Sequence, residues 1–540
     1  MREFHTFLRI SYIVSIQCAC RNGGDFIANS INDKKLFGRA KIYSSVEEKD
    51  LNPALIGKIL ADVLPIHKNN ATQIAYLRKQ FKGEQDIYSK VKDVRPEINN
   101  TVVENHIDHI VSFKKTYGWG YPLQLIQAIN EADETPTDSK GNEDTISKEL
   151  NILNTYMRNN SKANKDMDLA EELLVAGVGV RIITSNSKDN LKPFELHNLE
   201  PENAFVVYNN GLGKKPLFSV HIVIQKDYTT NKENLLLTVF TNKNKYTYKL
   251  PYENYTKSLD TIEIPEYVSS KPIEEVNPLG AIPIIEYQLN KNRISLVERF
   301  LGAQNALNQL TSSEIDDVEQ FVQAMMVFMN AEIDEATLSM AKELGAINIK
   351  SNGTLQGDVK LLTSKLAHTE AKVLYDRILQ TMLTNAGVPL VNSQGGGGGS
   401  TGIARLTDNG WLMADTKARE DEHAYVESEQ PLLELVIKLL KEQKRIKELD
   451  ISNITTKFTR NKSDNLLTKV QALQSLVGIV HPDIAYEAVD LFSDSNEAVA
   501  RSKAYFGDDF FKQAQKTTAQ ETNSVKPSEI EDETNLLDEA

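Results

Sequence analysis

The feature that most constrains this chain is a run of five glycines, Gly395, Gly396, Gly397, Gly398 and Gly399, set well inside a sequence of 540 residues. Glycine loses more backbone freedom on ordering than any other residue, so five in a row do not hold one conformation cheaply. The run is expected to be a loop, and its flanks must fold without it. Both flanks have helical patterns. Residues 361–383 read as one helix, and a very long one runs from Trp411 to about Leu449. Between them lie Val391, Asn392, Ser393 and Gln394 before the glycines, and Ser400, Thr401 and Gly402 after them.

A further long helix is expected from about Ile294 to Met329. Leu296, Phe300, Ala303, Leu307, Leu310, Val318, Phe321 and Met325 recur there at steps of three or four, with Glu314 occupying one slot. A short mixed insert, with a strand at 346–349 and an Asn352-Gly353 turn, separates it from the helix at 361–383. Two long helices joined by a compact unit form a stalk. Half-buried apolar stripes on a stalk need neighbours to cover them, which suggests a symmetric ring.

The first half of the chain mixes periods. Residues 51–64 read as a helix ended by Pro65, and 71–82 as a second one stopped by Gly83. Asn99-Asn100-Thr101 is expected to cap a helix over 102–116. Helices follow at 146–157 and 167–176, broken by Gly177 and Gly179, then a strand at 180–184. Runs at 204–208 and 216–224 flank Asn209-Asn210-Gly211, a hairpin signal, and 235–240 and 245–250 extend the antiparallel sheet. Residues 282–287 close the β-rich block. A strand at 455–458 and a small helical unit at 465–505 end the ordered pattern, and residues 521–540 are acidic and expected to be disordered. The fold class is α+β.

Composition sets limits on function. The net charge is -14, so the chain lacks the basic excess by which a protein grips phosphates through counterion release. It either ignores nucleic acid or handles it without holding it. The two cysteines, Cys18 and Cys20, imply no disulfide framework or zinc knuckle. Residues 4–20 are fairly apolar, but Arg9 interrupts them and they are shorter than the ~20 residues that span a bilayer.

Motifs that could carry chemistry fail on their context. Gly177–Gly179 follows a helix and precedes a strand, the reverse of a dinucleotide-binding turn. Gly213-Lys214 lacks the earlier glycine and the following Ser or Thr of a phosphate-binding loop. Glu104, His106 and His109 could supply half a metal site, but a solvated helix face is the preferred reading. Glu314, Asp316, Asp317 and Glu319 spread around one helix and do not converge as a metal pair requires, so a charged helix surface is expected. Trp119 reads as core or turn packing. No catalytic, cofactor or metal residue is assigned, and no cofactor is expected.

Several short blocks, in order, resemble the portal proteins of tailed double-stranded DNA bacteriophages, of the long-tailed type. They are YLRKQFKGEQDI at 76–87, NNTVVENHIDHIVSFKKTY at 99–117, DLAEELLVAGVGVRII at 168–183, LEPENAFVV at 199–207, NPLGAIPIIE at 277–286 and TGIARLTDNGW at 401–411. The resemblance covers roughly 51–506. The N-terminal extension and the glycine run depart from it.

The resemblance implies the portal fold. After an extension (1–50), the wing would comprise 51–293 and 403–460. The stem would be 294–324 and 361–383, the clip 325–360, the tunnel loop 384–402 and the crown 461–506, with a disordered tail at 507–540. It also implies twelve-fold rings at one capsid vertex that pass double-stranded DNA. The implied partners are the terminase large subunit and a head-completion adaptor at the clip, and the major capsid and scaffolding proteins at the wing, with no membrane. The expected DNA-facing element is the loop from Val391 to Thr401, with Lys360, Lys365 and Lys372 as candidate phosphate contacts. Two readings stay open beside it: another ring or shell protein, such as a capsid or tail adaptor, and a nuclease of the packaging machine using Asp316 or Asp317.

Overall fold

The structure is a computed structural model that describes residues 38–93, 96–128, 140–252, 272–322, 325–329, 358–362, 368–390 and 410–460, with shorter stretches from 466 to 505. The helices are α1 (Pro53–Phe81), α2 (His106–Trp119), α3 (Lys140–Asn159), α4 (Lys162–Ala176), α5 (Leu296–Val322), α6 (His368–Ala386), α7 (Trp411–Glu442), α8 (Leu466–Val477) and α9 (Pro482–Val489). The strands begin with β1 (Ile42–Ser44), β2 (Gln124–Gln127), β3 (Val178–Ser185), β4 (Phe194–Leu199) and β5 (Ala204–Asn209). Then come β6 (Pro216–Asp227), β7 (Lys232–Phe240), β8 (Asn244–Pro251), β9 (Ile273–Val276) and β10 (Ile284–Gln288). β11 (Met325–Met329), β12 (Asp358–Leu362) and β13 (Ile454–Lys457) complete the set. The mixture is α+β, as expected.

The chain forms two compact units, one of residues 1–119 and 155–447, the other of 120–154 and 448–540. In the first, a six-stranded sheet has the order β1-β5-β6-β7-β8-β9. β5 to β9 are antiparallel neighbours, and the expected hairpin stands, with the Asn209 N–H bonded to the Lys215 carbonyl at 2.8 Å. β1, too short to stand out in the sequence, adds a parallel edge to β5. A three-stranded antiparallel sheet, β10-β3-β4, stands beside it.

α1 corrects the expectation of two helices. It runs unbroken through Pro65. An interior proline removes one hydrogen bond and costs ~3 kcal/mol. The apolar face on either side of it outweighs that cost: Ile56, Leu60 and Leu64 pack on Phe205, Phe218 and Tyr248 of the sheet, and Ile74 and Leu77 are buried beyond it. Between them His67 stacks on Phe205 at 4.3 Å and bonds the Glu202 carbonyl, and burial pushes its pKa down to about 4.

Gly177 does end α4, with φ +79°. A Cβ there would lie 2.1 Å from the Arg293 carbonyl oxygen, so the β3 start and the turn before α5 approach as only glycine permits. Four other boundaries differ. α2 begins at His106 rather than 102, with the Asn105 side chain accepting from the Asp108 N–H at 3.4 Å. α5 stops at Val322, and 325–329, expected as its last turn, is β11, paired antiparallel with β12. The expected helix at 361–383 therefore starts only at His368. A Met-Met-Val-Phe-Met run suits a strand and a helix equally, and only its long-range partner decides. α7 ends at Glu442.

In the second unit, β2 and β13 pair antiparallel. The Glu149 carboxylate accepts the backbone N–H groups of Glu448 and Leu449 at 2.9 and 2.8 Å. α8 and α9 lie within the expected helical region at 465–505.

Candidate functional site: the root of the α5–α6 pair

α5 presents two faces. One is apolar: Leu296, Val297, Phe300 and Leu307 join Ile107, Ile110 and Val111 of α2 and Met382 and Ala386 of α6 in one core. The other is polar and equally buried. Gln304, Asn308, Ser312 and Asp316, each four residues apart, are all 3 % exposed or less.

Their partner is an extended segment, residues 99–105. The backbone N–H groups of Asn100, Val102 and Glu104 donate to Asp316 Oδ1, Ser312 Oγ and Asn308 Oδ1 at 2.7, 3.0 and 3.3 Å. Gln304 returns a bond to the Glu104 carbonyl at 2.7 Å. The match is metric. Four helical residues rise about 6.0 Å and two strand residues about 6.6 Å, so every second N–H meets the next polar side chain. Each rung satisfies a backbone group that no sheet neighbour serves. Asp316 also receives Lys90 and Lys92 at 3.0 and 3.3 Å. Burial alone would raise its carboxyl, but the Asn100 N–H and Lys90 win and bring it down to about 2.

A second polar knot joins three helices. Glu104 accepts the Tyr375 hydroxyl of α6 and the Thr311 hydroxyl of α5, the latter at 3.1 Å. His106 of α2 bonds the Tyr375 oxygen at 2.9 Å. Burial pushes the His106 ring down despite Glu104 beside it. The height of α6 along α5 is thereby fixed.

α6 then ends in a turn. Gly387 has φ +75°, and the Val388 N–H returns to the Leu383 carbonyl at 2.9 Å. α7 starts after Gly410, φ +82°, whose Cβ position would lie 3.8 Å from Pro389 Cα. The segment 391–409 therefore leaves and returns at one place. Trp411 packs there against Phe113 and Tyr117 of α2, with ring centroids at 6.2 and 5.9 Å.

α7 is anchored further along by buried charges. Lys162 bonds Asp166 at 2.6 Å and Glu429 at 3.0 Å, and Arg181 lies 2.8 Å from Asp166. Tyr287 donates to Glu429 and Tyr425 to Asp166. Burial would raise the Asp166 carboxyl, but the Lys162 and Arg181 charges hold it below the usual carboxylate range. Two cations and two anions make the cluster neutral, the condition for burying charge. Trp119 sits edge-on to Tyr425 at 5.8 Å, in the core as expected.

The expected site residues fall unevenly. Val391 to Thr401 and Lys365 lie outside the described residues. Lys360 is in β12, and Lys372 is exposed on α6. The acidic quartet does spread around α5, with Asp317 exposed. Asp316 and Glu319, however, bind Asn100 instead of forming a solvated surface. His106 likewise serves the knot, while His109 points outward. The sequence reading missed the ladder; its signal was polar residues at a strict step of four, opposite an Asn-rich extended run. Among the described residues there is no group of three or more His, Cys, Asp or Glu that could hold a metal, and no helix long and apolar enough to cross a membrane.

A register-locked helical pair, the close approach of Pro389 to Gly410 and a helix held by a neutral buried cluster describe a structural subunit. The chain matches the family described as phage portal protein, SPP1 Gp6-like, over residues 60–505, and it belongs to that family. It is thus a structural protein of the phage head-to-tail connector, and the resemblance is borne out over 60–505. No curated protein matches the chain.

Proposed function

We propose that this chain is the subunit of a twelve-fold ring at one capsid vertex, through which double-stranded viral DNA is packaged and ejected. The observation that carries this is the arrangement around α5 and α6: a two-stranded β11–β12 pair connects the helices, and the segment 391–409 leaves and returns beside Pro389 and Gly410. Within this reading α5 and α6 are the stem and 325–360 the clip, which docks the terminase large subunit and later the head-completion adaptor. The wing, 51–293 and 403–460, meets the capsid and scaffolding proteins.

The loop from Val391 to Thr401 faces the duplex, with Lys360, Lys365 and Lys372 as phosphate contacts. A duplex presents one charge per ~1.7 Å of axis. A chain of net charge -14 would repel that surface and keep the DNA mobile, and glycine-rich loops would follow it over small barriers. Replacing Gly395, Gly396, Gly397, Gly398 and Gly399 by alanines is expected to leave rings intact and impair DNA packaging or retention. Normal phage yield from that variant would contradict the role of the loop.

A further inference from the structure

The chain carries a net charge of -14, yet the β1 end of the six-stranded sheet is cationic. β1 brings Lys41 and Tyr43 beside Tyr208 of β5. The Lys41 ammonium lies 5.9 Å from the Tyr208 ring centre, and the Tyr43 and Tyr208 rings are 6.3 Å apart. The turn from β5 to β6 adds Lys214, whose ammonium is 4.9 Å from the Tyr43 ring centre and donates to its hydroxyl at 3.3 Å. Lys215 and Leu212 stand exposed on the same turn, Leu212 completely so.

These lysines lack counter-charges. Among the described residues none of Lys41, Lys214 and Lys215 forms an ion pair. Glu286 is taken by Arg293 at 2.5 Å and by the Tyr208 hydroxyl at 2.7 Å. Glu47 and Glu48, the first acids after β1, are taken by Lys49 at 2.6 Å and Asn242 at 2.7 Å. Burial, with the Arg293 and Lys214 charges added to it, pushes the Lys41 amine down. Like charges gathered on two aromatic rings call for an anion.

Chemistry names the anion. Duplex DNA offers phosphates and sugars to such a surface, and three lysines release few counterions, so they would grip it weakly. A peptide that mixes acids with aliphatics matches both the lysines and the bare Leu212. This chain has one: residues 521–540 hold seven acids against one lysine, with Ile530, Leu536 and Leu537 among them. Residues 506–540 reach about 115 Å when extended, so the match requires no particular placement of the two units.

We propose that the acidic tail of this chain docks on the patch, with carboxylates between Glu529 and Glu539 on Lys41, Lys214 and Lys215, and Leu536 or Leu537 beside Leu212. The docked tail shields these cations from phosphates, as suits a protein that handles nucleic acid without holding it. The proposal does not rest on the ring reading.

The test uses the full chain and a carbodiimide, which joins a lysine amine to a carboxylate in contact with it. Mass spectrometry of the digest should find Lys41, Lys214 or Lys215 joined to tail acids about tenfold more often than Lys58 or Lys243, which are also exposed. Leu212→Glu lies at an exposed tip, so it should melt as the parent does and lose most of those links. Tail links spread evenly over all exposed lysines, or unchanged in Leu212→Glu, would overturn the docking. Duplex binding by the full chain that disappears in a Lys41→Gln, Lys214→Gln, Lys215→Gln variant would make the patch a nucleic-acid site and overturn it as well.

Discussion

The sheet core and the α5 root are buried to the same degree but held differently. Under α1, apolar side chains fill the space: Leu60, Phe218, Leu237 and Tyr248 are inaccessible to solvent. Beside α5, Gln304, Asn308 and Ser312 are equally inaccessible and make directional bonds. Apolar contacts reward proximity and are roughly indifferent to register. A ladder of hydrogen bonds rewards one register, since a slip by one residue leaves every rung buried and unpaired. The difference suits a subunit in which a helical pair must keep its height while the sheet needs only to be stable.

The comparison can be broken from either side. The largest effect is expected from Glu429→Ala, which leaves the two buried cations Lys162 and Arg181 to share Asp166 alone and should cost about 3–5 kcal/mol. Hydrogen exchange over 425–440 would show it; protection equal to the parent would mean the cluster is not neutralised as described. Next is Leu60→Ala, a cavity against the sheet, at about 3 kcal/mol and confined to exchange in α1 and β6–β8.

Asp316→Asn should cost about 2 kcal/mol, since the carboxyl sits at about 2 against an ordinary 3.8. The sign is that of a depressed acid. Its contribution is complete above pH 3.8 and is lost as pH falls towards 2, so the parent should lose protection at residues 99–105 across that window and the variant should not. Smallest is Ser312→Ala, about 1 kcal/mol, with faster exchange at the Val102 amide. If Ser312→Ala loosened the sheet core as much as Leu60→Ala, the distinction between the two regions would fail.

The same distinction explains what the sequence disclosed. The six-stranded sheet was legible in its central strands, because alternation and the Asn-Gly turn are local signals. β1 and β9 were not, being three and four residues long and defined by neighbours far away in the chain. Pro65 misled, because a local rule was overridden by apolar contacts on both sides of it. At the root of the pair, Asn99 to Thr101 was read as a helix cap and Asp316 as surface. Both are polar residues whose burial depends on a partner more than two hundred positions away. Gly387 and Gly410, whose positive φ values turn the chain at the ends of α6 and α7, were passed over for the five-glycine run, while the family was legible through the order of short blocks. The lysines proposed for DNA were chosen by proximity in sequence; of the two among the described residues, Lys360 is on a strand and Lys372 on a helix.

The most direct test of the account is electron microscopy of the purified full-length protein, with class averages viewed down the symmetry axis. The account predicts a ring of about twelve subunits with an open channel wide enough for a duplex. A closed shell, or an oligomer without a channel, would contradict it.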